Sequence, residues 1–451
     1  MLRPRGFSLA KASILVADGH TLFRADAPVN IECDAAGARA VVESRSRMNV
    51  EFFARAPQAV APGRQEIALR PMPRTPFFTL PPASPVVAGA GAAITQAPTL
   101  PLRWTFDGSF TCLAAADLNG DKRAETIAGG ADGRVCCIGP DGKLRWEFKA
   151  PKAVKSVWAG DLDGDGRGEV VVGSADGNAY LLDASGKLLW SHAFPYYKRS
   201  PVVSVVFAAD LDGSGKKAII VGTESWHFYA LDRSGKELWH YESVHGSTCG
   251  TAADLDGDGK QEVIAGTEYY WWHAITPDGK RRWNYSTRTG PHANCVAAGA
   301  LNSGGKRAVV FGGADGNLHA LGADGKRLWQ FNTGDEVTGV VVADGRVFAT
   351  SMSFNLYALD GHGKMLWRQD RGDVLRGIAL LKAQATTKPK IAVGGEDGRV
   401  AVYDSDGTLQ GEAKLDGAIT QLSATDLDGD DRQEIVAISR TGIVVIGKDK
   451  N

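Results

Sequence analysis

Short acidic loops with a fixed spacing are the clearest chemical signal in this sequence of 451 residues. In DLDGDGRGE, which begins at Asp161, aspartates occupy alternate positions, a glycine permits a sharp turn, and a glutamate ends the pattern. Ca²⁺ takes about six to eight oxygen ligands, which closely spaced carboxylates provide. We therefore predict structural calcium sites. The four complete loops carry Asp117, Asn119, Asp121 and Glu125; Asp161, Asp163, Asp165 and Glu169; Asp254, Asp256, Asp258 and Glu262; and Asp426, Asp428, Asp430 and Glu434.

The alternative is that these loops are ordinary solvated turns, in which Asp and Gly serve turn geometry alone. Turn geometry does not require a glutamate at the same late position in several copies, and close carboxylates repel one another without a cation. Both points favour calcium. The other copies are degenerate; for example, the loop at Asp210 ends in Ala218 instead of glutamate, and LNSGGKRA, from Leu301, has lost every carboxylate.

Aromatic residues interrupt a second set of loops. TEYYWWHA at residues 267–274 stands where SADGNAYL, from Ser174, carries an Asp-Gly turn, and two other stretches, from Thr223 and Ser351, lose the same turn. The segments that connect neighbouring units depart from their consensus over the same part of the chain. Flat rings can stack on sugars while interleaved polar groups bind the hydroxyls, so we predict a glycan site. The candidate substrate-binding residues are Tyr197, Arg199, Glu224, Trp226, Glu268, Trp271, Asn294, Asp335 and Asn355.

Residues in the same loops could also carry out catalysis. Elimination from a uronic acid needs a cation to neutralise the carboxylate, for which Arg288 is the candidate, and a base to remove a proton. Hydrolysis would instead need two carboxylates, for which Glu224 and Glu268 occupy equivalent positions in neighbouring units. The candidate catalytic residues for elimination are His245, His292, Tyr269, Tyr270 and Arg288.

A repeated unit must position both sets of loops. From residue 101 onward, each unit reads as an apolar strand, the acidic loop, an apolar strand, the Asp-Gly turn, a short strand, a D-x-x-G-K turn and a strand that contains Trp. The spacing of that Trp, about forty to fifty residues, is typical of four-stranded propeller blades. The acidic-loop position occurs eight times. We therefore predict an all-β fold with an eight-bladed β-propeller, or with seven blades if a degenerate unit is lost.

The topology of a four-stranded blade separates the two sets of loops. Successive loops alternate between the two faces of the ring, so the acidic and aromatic loops should lie on opposite faces. The last unit, 418–451, lacks its Trp strand, whereas PLRWTF at 101–106 is a Trp strand without a unit. We predict that this segment closes the ring as the outer strand of the last blade, which removes an open sheet edge.

The unit D-x-D-G-D-G-x-x-E, followed by G…D-G and D-x-x-G-K-x-x-W, resembles the FG-GAP/VCBS and PQQ-like repeat β-propellers of secreted bacterial proteins over residues 101–451. The resemblance implies the fold and an extracellular or periplasmic location, but one fold hosts many functions. The W-x-W-x-x-x-G repeat of quinone-dependent dehydrogenases does not occur, so no PQQ is expected. The adjacent Cys136 and Cys137 are similar to the vicinal disulfide of quinoprotein dehydrogenases, although strand packing is the favoured interpretation.

The remaining sequence bounds the domains and partners. The net charge is −1, which gives no electrostatic case for nucleic acid or an anionic membrane, and no apolar run is long enough for a membrane span. Residues 1–82 contain alternating or apolar runs between turns, which predict a small β-sandwich-like domain, and 83–100 are rich in Pro, Ala and Gly, as in a linker. The start lacks a signal-peptide core, so we expect the chain to belong to a longer protein with upstream domains.

Three function classes fit these residues. The leading hypothesis is an extracellular lyase that acts on a uronic-acid-containing polysaccharide or oligosaccharide. Some polysaccharide lyases have eight-bladed, calcium-bearing propellers, but their long blade insertions are missing here. The alternative is a non-catalytic, lectin-like carbohydrate-binding module of a larger secreted enzyme. The second alternative is a protein-interaction scaffold similar to the outer-membrane assembly lipoprotein, although a lipoprotein cysteine is missing at the start.

Overall fold

The computed structural model consists of β-strands and their connections throughout the residues that it describes. The chain divides into two compact units, residues 1–91 and 92–451, and each is considered by itself. No helix in the described ranges is long and apolar enough to cross a lipid bilayer. The described residues are 7–17, 20–33, 39–44, 48–52, 58–68, 98–269, 271–287, 292–301, 307–382 and 388–447.

The N-terminal unit, for which the sequence predicts a β-sandwich-like domain, contains one antiparallel six-stranded sheet. Its long second strand is shared by two halves of the sheet, because its beginning pairs with the fourth strand and its end pairs with the third. The first strand pairs antiparallel with the second, and the register of the pair shifts at several points. The strands are β1 (Phe7–Ala17), β2 (His20–Cys33), β3 (Arg39–Ser44), β4 (Met48–Phe52), β5 (Gln58–Val60) and β6 (Gly63–Ala68).

The second unit is a ring of four-stranded antiparallel blades. In the first four blades the strands follow in chain order. Blade 1 has β8 (Phe110–Ala116), β9 (Glu125–Gly130), β10 (Arg134–Ile138) and β11 (Leu144–Lys149); blade 2 has β12 (Val154–Gly160), β13 (Glu169–Ser174), β14 (Asn178–Leu182) and β15 (Leu188–Ala193). Blade 3 has β16 (Val203–Ala209), β17 (Ala218–Thr223), β18 (His227–Leu231) and β19 (Glu237–Glu242); blade 4 has β20 (Ser247–Ala253), β21 (Glu262–Thr267), β22 (Trp271–Ile275) and β23 (Arg281–Ser286).

Four further blades complete the ring. Blade 5 has β24 (Ala293–Ala300), β25 (Arg307–Gly313), β26 (Asn317–Gly322) and β27 (Arg327–Asn332); blade 6 has β28 (Val337–Ala343), β29 (Arg346–Ser351), β30 (Asn355–Leu359) and β31 (Met365–Asp370). Blade 7 has β32 (Leu375–Leu381), β33 (Lys390–Gly395), β34 (Arg399–Asp404) and β35 (Leu409–Lys414); blade 8 has β36 (Gln421–Thr425), β37 (Glu434–Ser439), β38 (Gly442–Ile446) and β7 (Leu102–Asp107). The prediction of eight blades is confirmed.

The ring closes through a strand from the start of the propeller. β7 pairs antiparallel with β38, with Trp104 opposite Val445 and Phe106 opposite Ile443. The first strand of each blade contacts the first strands of both neighbours, including β36 against β8. Backbone hydrogen bonds therefore join the two ends of the propeller within one blade, and the first strands form the innermost layer of the ring.

The repeated Trp and the Gly of the D-x-x-G-K turn form a contact between blades. Each indole Nε1 donates a hydrogen bond to a carbonyl in that turn of the next blade, as in Trp146 to Ala184 at 2.9 Å. The glycine of the turn adopts a left-handed conformation against the indole, where a Cβ on Gly186 would lie 2.5 Å from the Trp146 ring. The motif thus holds neighbouring blades together. The indole donors are Trp104, Trp146, Trp190, Trp239, Trp283, Trp329 and Trp367.

The seventh blade replaces this Trp with Gly411. The neighbouring segment fills the space, because a Cβ on Gly411 would lie 2.5 Å from Leu100 Cδ2. Glu412 donates its backbone N–H to Pro98 O at 2.9 Å and accepts one from Leu100 at 2.9 Å. Residues 98–100 therefore extend the outer edge of blade 7.

Candidate functional site

The acidic loops connect the first and second strands of their blades, and the first aspartate organises the loop backbone. Asp161 Oδ1 accepts the N–H of Gly164 at 2.7 Å, and its Oδ2 accepts the N–H of Gly166 at 2.9 Å. Asp254 makes the equivalent bonds in blade 4. Because these donors stabilise the carboxylate, the first aspartate has a structural role in the turn even without a metal.

The late glutamate of each loop is buried and has partners of its own. Glu262 Oε2 accepts the N–H of Leu255 at 2.9 Å, while its Oε1 lies 2.7 Å from Arg282 Nη1. The same guanidinium lies 2.6 Å from Asp256. Arginines therefore supply positive charge to the clusters. The equivalent ion pairs join Arg233 to Asp163 and Glu169, and Arg103 to Asp428 and Glu434.

The loop geometry is compatible with a hard cation but does not demand one. In three loops the carboxylate oxygens lie within 4.8 Å of one another, a spacing that suits Ca²⁺. Burial raises the pKa of Glu434 to about 7, with Asp428 adding to the effect and Arg103 opposing it. Calcium binding stays a prediction, because the recurring glutamate also has a role in the loop itself.

The interrupted turns and the adjoining connections lie on the face opposite the acidic loops. Both join strands at the ends that point away from those loops, as the blade topology requires. Blades 2 to 4 bring four such segments together through side-chain contacts. We call this set the aromatic arc, which consists of residues 196–199, 224–227, 242–245 and 268–269.

Two aromatic residues occupy a backbone position that normally needs glycine. Trp226 and Phe354 have φ values of 68° and 69° at the turn between the second and third strands. Glycines hold the left-handed conformation at the same turn in four other blades: Gly133, Gly177, Gly316 and Gly398. A side chain in this conformation costs on the order of 1 kcal/mol. The fold tolerates that cost at Trp226 and Phe354.

A chain of ring contacts runs along the aromatic arc. Trp226 and His245 meet edge-on with centroids 5.4 Å apart, and His245 is 4.8 Å from Tyr269. Tyr197 meets His227 edge-on at 4.9 Å. Side chains from three blades and their connections thus form one surface, with Tyr269 46% exposed.

Charged groups are interleaved with these rings. Arg199 Nη1 lies 2.5 Å from Glu268 Oε2, and Tyr197 donates its hydroxyl to Glu242 Oε1 at 3.0 Å. Lys198 Nζ lies over the rings of Trp226 and Tyr197, at 4.4 and 5.0 Å from their centroids. The arc therefore contains carboxylates, cations and rings within contact distance of one another.

His245 is a poor fit for the predicted role of general base. Burial lowers its pKa, with the Arg199 charge acting in the same direction and Glu268 opposing it. The Nδ1 atom is buried, and neither it nor Trp226 Nε1 has a hydrogen-bond partner among the described residues. The ring is half-buried between two aromatic neighbours. It serves the packing of the arc more directly than proton transfer.

Other candidate residues lie outside these contacts. Asn294 donates to Glu336 Oε1 at 2.8 Å and to Val337 O at 2.9 Å, within blades 5 and 6. Asp335 Oδ1 accepts the backbone N–H of Glu336, and Asn355 donates to Ser353 O at 2.6 Å. These three predicted residues are occupied locally, and their described contacts do not join them to the aromatic arc.

The remaining predicted residues belong to the fourth blade and its exit. Trp271 lies in β22 and stacks on His273 with centroids 6.3 Å apart, so it is a half-buried strand residue. His292 is 6.5 Å from Tyr269 at the edge of the arc. Tyr270 and Arg288 lie outside the described residues, so the geometry of the predicted carboxylate-neutralising cation is not described.

Several residues in the arc, including Lys198, His227 and Glu242, were not among the predicted site residues. Lys198 lies between the predicted Tyr197 and Arg199, and His227 follows Trp226 directly. Their position inside the altered segments was an available signal. Only the folded chain shows that Lys198 covers Trp226, because they belong to different segments.

A polar cleft of about 500 Å³ lies between blades 4 and 5. Among its lining residues, His319 contacts Asp315 Oδ2 through Nε2 at 3.0 Å and the Tyr285 hydroxyl through Nδ1 at 3.3 Å. The same contact recurs in blade 2, where Tyr180 donates to Asp176 at 2.5 Å. Repeat packing therefore explains the His319–Asp315 pair.

The cysteines have structural positions. Cys136 and Cys137 are adjacent in β10, buried and free, and no vicinal disulfide links them. Burial raises the pKa of Cys136 to about 11 and that of Cys137 to about 12. Both thiols are therefore inert packing groups.

The fold and repeat chemistry define the class of protein as a β-propeller of PQQ-like repeats. A family model described as outer membrane protein assembly factor BamB matches residues 131–304 and 295–447. The chain belongs to this family. The match supports the PQQ-like part of the resemblance drawn from the sequence. A search of curated proteins finds no match.

Solved structures share the propeller fold at low sequence identity. BamB from Moraxella catarrhalis is 22% identical, with a TM-score of 0.57, covering 78% of this chain and 98% of its own. The computationally designed Ika8 protein is 17% identical, with a TM-score of 0.59 and coverage of 78% and 100%. Sqt1 from Saccharomyces cerevisiae is 10% identical, with a TM-score of 0.63 and coverage of 79% and 100%. These likenesses concern the fold.

Proposed function

We propose that this chain is a non-catalytic scaffold of the bacterial cell envelope, which binds a protein partner through the aromatic arc. The family description, outer membrane protein assembly factor, supports both a protein partner and a periplasmic location. The observation that carries the proposal is an exposed ring surface built on a left-handed backbone at Trp226.

The cost of this surface supports a binding role. Tyr196 is 73% exposed, Val244 47% and Tyr269 46%, and exposed apolar groups in one patch mark interaction sites. Replacing the usual glycine of the turn by Trp226 adds backbone strain. Aromatic residues and arginine are enriched at the centres of protein interfaces. The composition of the arc therefore suits a protein partner.

Glycan binding is the second candidate, because Tyr269 and the Arg199–Glu268 pair lie in one patch with exposed rings. Lyase chemistry on a uronate is less well supported. Burial depresses the pKa of His245, which is one of the proposed bases. The comparisons also lend no support to polysaccharide lyase activity.

Site-specific photo-crosslinking tests the proposed function. A photoreactive phenylalanine analogue at Tyr196 or Tyr269 should form crosslinks to a defined protein in cells. The same analogue at Leu328, which is 56% exposed on the outer strand of blade 5, is the control and should not form that product. Uronic-acid polysaccharides should give no unsaturated product by ultraviolet absorbance. Product formation, or identical crosslinks at Leu328, would overturn the scaffold proposal.

A further inference from the structure

Lys198 occupies a small aromatic site within the arc. Its ammonium nitrogen lies 4.4 Å from the centroid of Trp226 and 5.0 Å from that of Tyr197. Cations within about 6 Å of a ring centroid are attracted by the negative face of the ring. The two rings therefore provide a cation site that one of the protein's own side chains fills.

The backbone on both sides of this site is specially shaped. Lys198 has a φ of 57° and Trp226 a φ of 68°, both in the left-handed region. Arg199 donates its N–H to Tyr197 O at 2.6 Å, which closes a tight turn around Lys198. Strained backbone of this kind persists only where the surrounding structure holds it, and it is concentrated at functional sites.

The charged groups around the site include a carboxylate that can bind a further cation. Arg199 is paired with Glu268 at 2.5 Å. Glu242 is exposed and receives the Tyr197 hydroxyl at 3.0 Å. Lys198 is exposed and forms no ion pair with the residues that the structure describes. The Glu242 carboxylate beside the rings is therefore available to a second positive group.

We propose that Trp226, Tyr197 and Glu242 recognise an arginine side chain of the partner, which displaces Lys198. This inference rests on the proposed scaffold function and names the chemistry of its partner. A guanidinium stacks on an aromatic face and donates to a carboxylate at the same time, whereas an ammonium acts as a point charge. The site offers both features, so an arginine replaces the internal lysine favourably.

Peptide binding tests this assignment. The probe is a short peptide with one arginine between glycines, and its matched control has citrulline, which keeps the shape and lacks the charge. Binding is measured from the Trp226 indole N–H signal, assigned with Trp226→Phe. We expect the arginine peptide to bind and Lys198→Met to strengthen binding by about tenfold, the scale of a cation–π interaction. Glu242→Gln should weaken it.

A glycine variant separates loss of binding from loss of folding. Trp226→Gly restores the residue found at this turn in four other blades, so it should fold and lose arginine binding, measured by isothermal titration calorimetry because this variant lacks the indole signal. Phe354→Gly, the equivalent change in blade 6, should fold and bind normally. Equal binding of the citrulline peptide, or unchanged affinity in Lys198→Met, would overturn the assignment.

The two proposals fail separately. If crosslinks form at Tyr269 but the arginine peptide does not bind, the scaffold function stands and the arginine site is wrong. If the peptide binds but no protein crosslinks at Tyr196 or Tyr269, the recognition chemistry stands and the scaffold function is wrong.

Discussion

Trp226 contributes its ring to the surface of the arc although its backbone has a strained, left-handed conformation. Its φ of 68° repeats the geometry of the glycines at the same turn, so the fold imposes that conformation whatever residue is present. The side chain then contacts His245 and lies under Lys198. The strain and these contacts together support the proposal that this turn is a binding element.

His273 gives a prediction at the same scale. Burial lowers its pKa from 6.5 to about 4, and its titratable neighbours are Tyr241, Arg281 and His245. Between pH 6.5 and about pH 4, His273 is protonated in the unfolded chain but not in the folded chain. The free energy of unfolding therefore falls as the pH drops through this range. The loss should reach about 3 kcal/mol and level off below the lower value.

Chemical denaturation across this pH range measures the effect. His273→Tyr is the matched variant, because Tyr229 and Tyr357 occupy the equivalent strand position in blades 3 and 6. In this variant the free energy of unfolding should no longer show the decrease that His273 causes between pH 6.5 and about pH 4. Identical pH profiles for both proteins would show that His273 is not responsible.

The acidic residues of the loop could serve either to stabilise the loop itself or to bind a cation. Backbone N–H groups and arginines satisfy its carboxylates, as for Asp161 and Glu262. The same oxygens are close enough to coordinate a cation. Since both arrangements use the same side chains, only a measurement on the metal distinguishes them.

Calcium removal is the prediction for this element. A ligand that binds only the folded state stabilises it and raises the melting temperature. The stabilisation is about 2.7 kcal/mol when the free ligand concentration is a hundred times the dissociation constant. EDTA should lower the melting temperature, and added Ca²⁺ should restore it. Glu262→Gln should reduce the response to Ca²⁺. If EDTA has no effect, Arg103, Arg233 and Arg282 are the cations of these loops.

The propeller as a whole depends on two N-terminal segments. β7 completes blade 8 by pairing with β38. Residues 98–100 pair with β35 and fill the space that Gly411 leaves in blade 7. Both segments act by covering an outer blade edge, so the ends of the propeller contribute to its stability in a graded way.

Three truncations test this arrangement. Removal of residues 1–95 should leave the propeller stability almost unchanged. Removal of 1–101 should lower it, because Leu100 is lost. Removal of 1–107 should lower it by more than about 3 kcal/mol, because Trp104 and the outer strand of blade 8 are lost. Thermal unfolding of the three proteins gives the order, and equal stabilities would show that neither segment closes the ring.

The sequence by itself determined the blade and the repeat, and it favoured eight units with seven as the alternative. Alternating strands, Gly and Asp turns and the recurring Trp are local patterns, and each has a local physical cause. The closing position of 101–106 also followed from the sequence, because one unit lacks a strand that another segment supplies. The same patterns located Trp226 and Tyr269 in turns without glycine.

Only the tertiary structure decided which of these residues meet. The arc joins segments from neighbouring blades, while Asn294, Asp335 and Asn355 are held by partners in blades 5 and 6. The partners of the acidic-loop glutamates, such as Arg233 for Glu169, come from other strands or the next blade. Contacts of this kind depend on side-chain direction and blade geometry, which the spacing of residues along a chain does not encode.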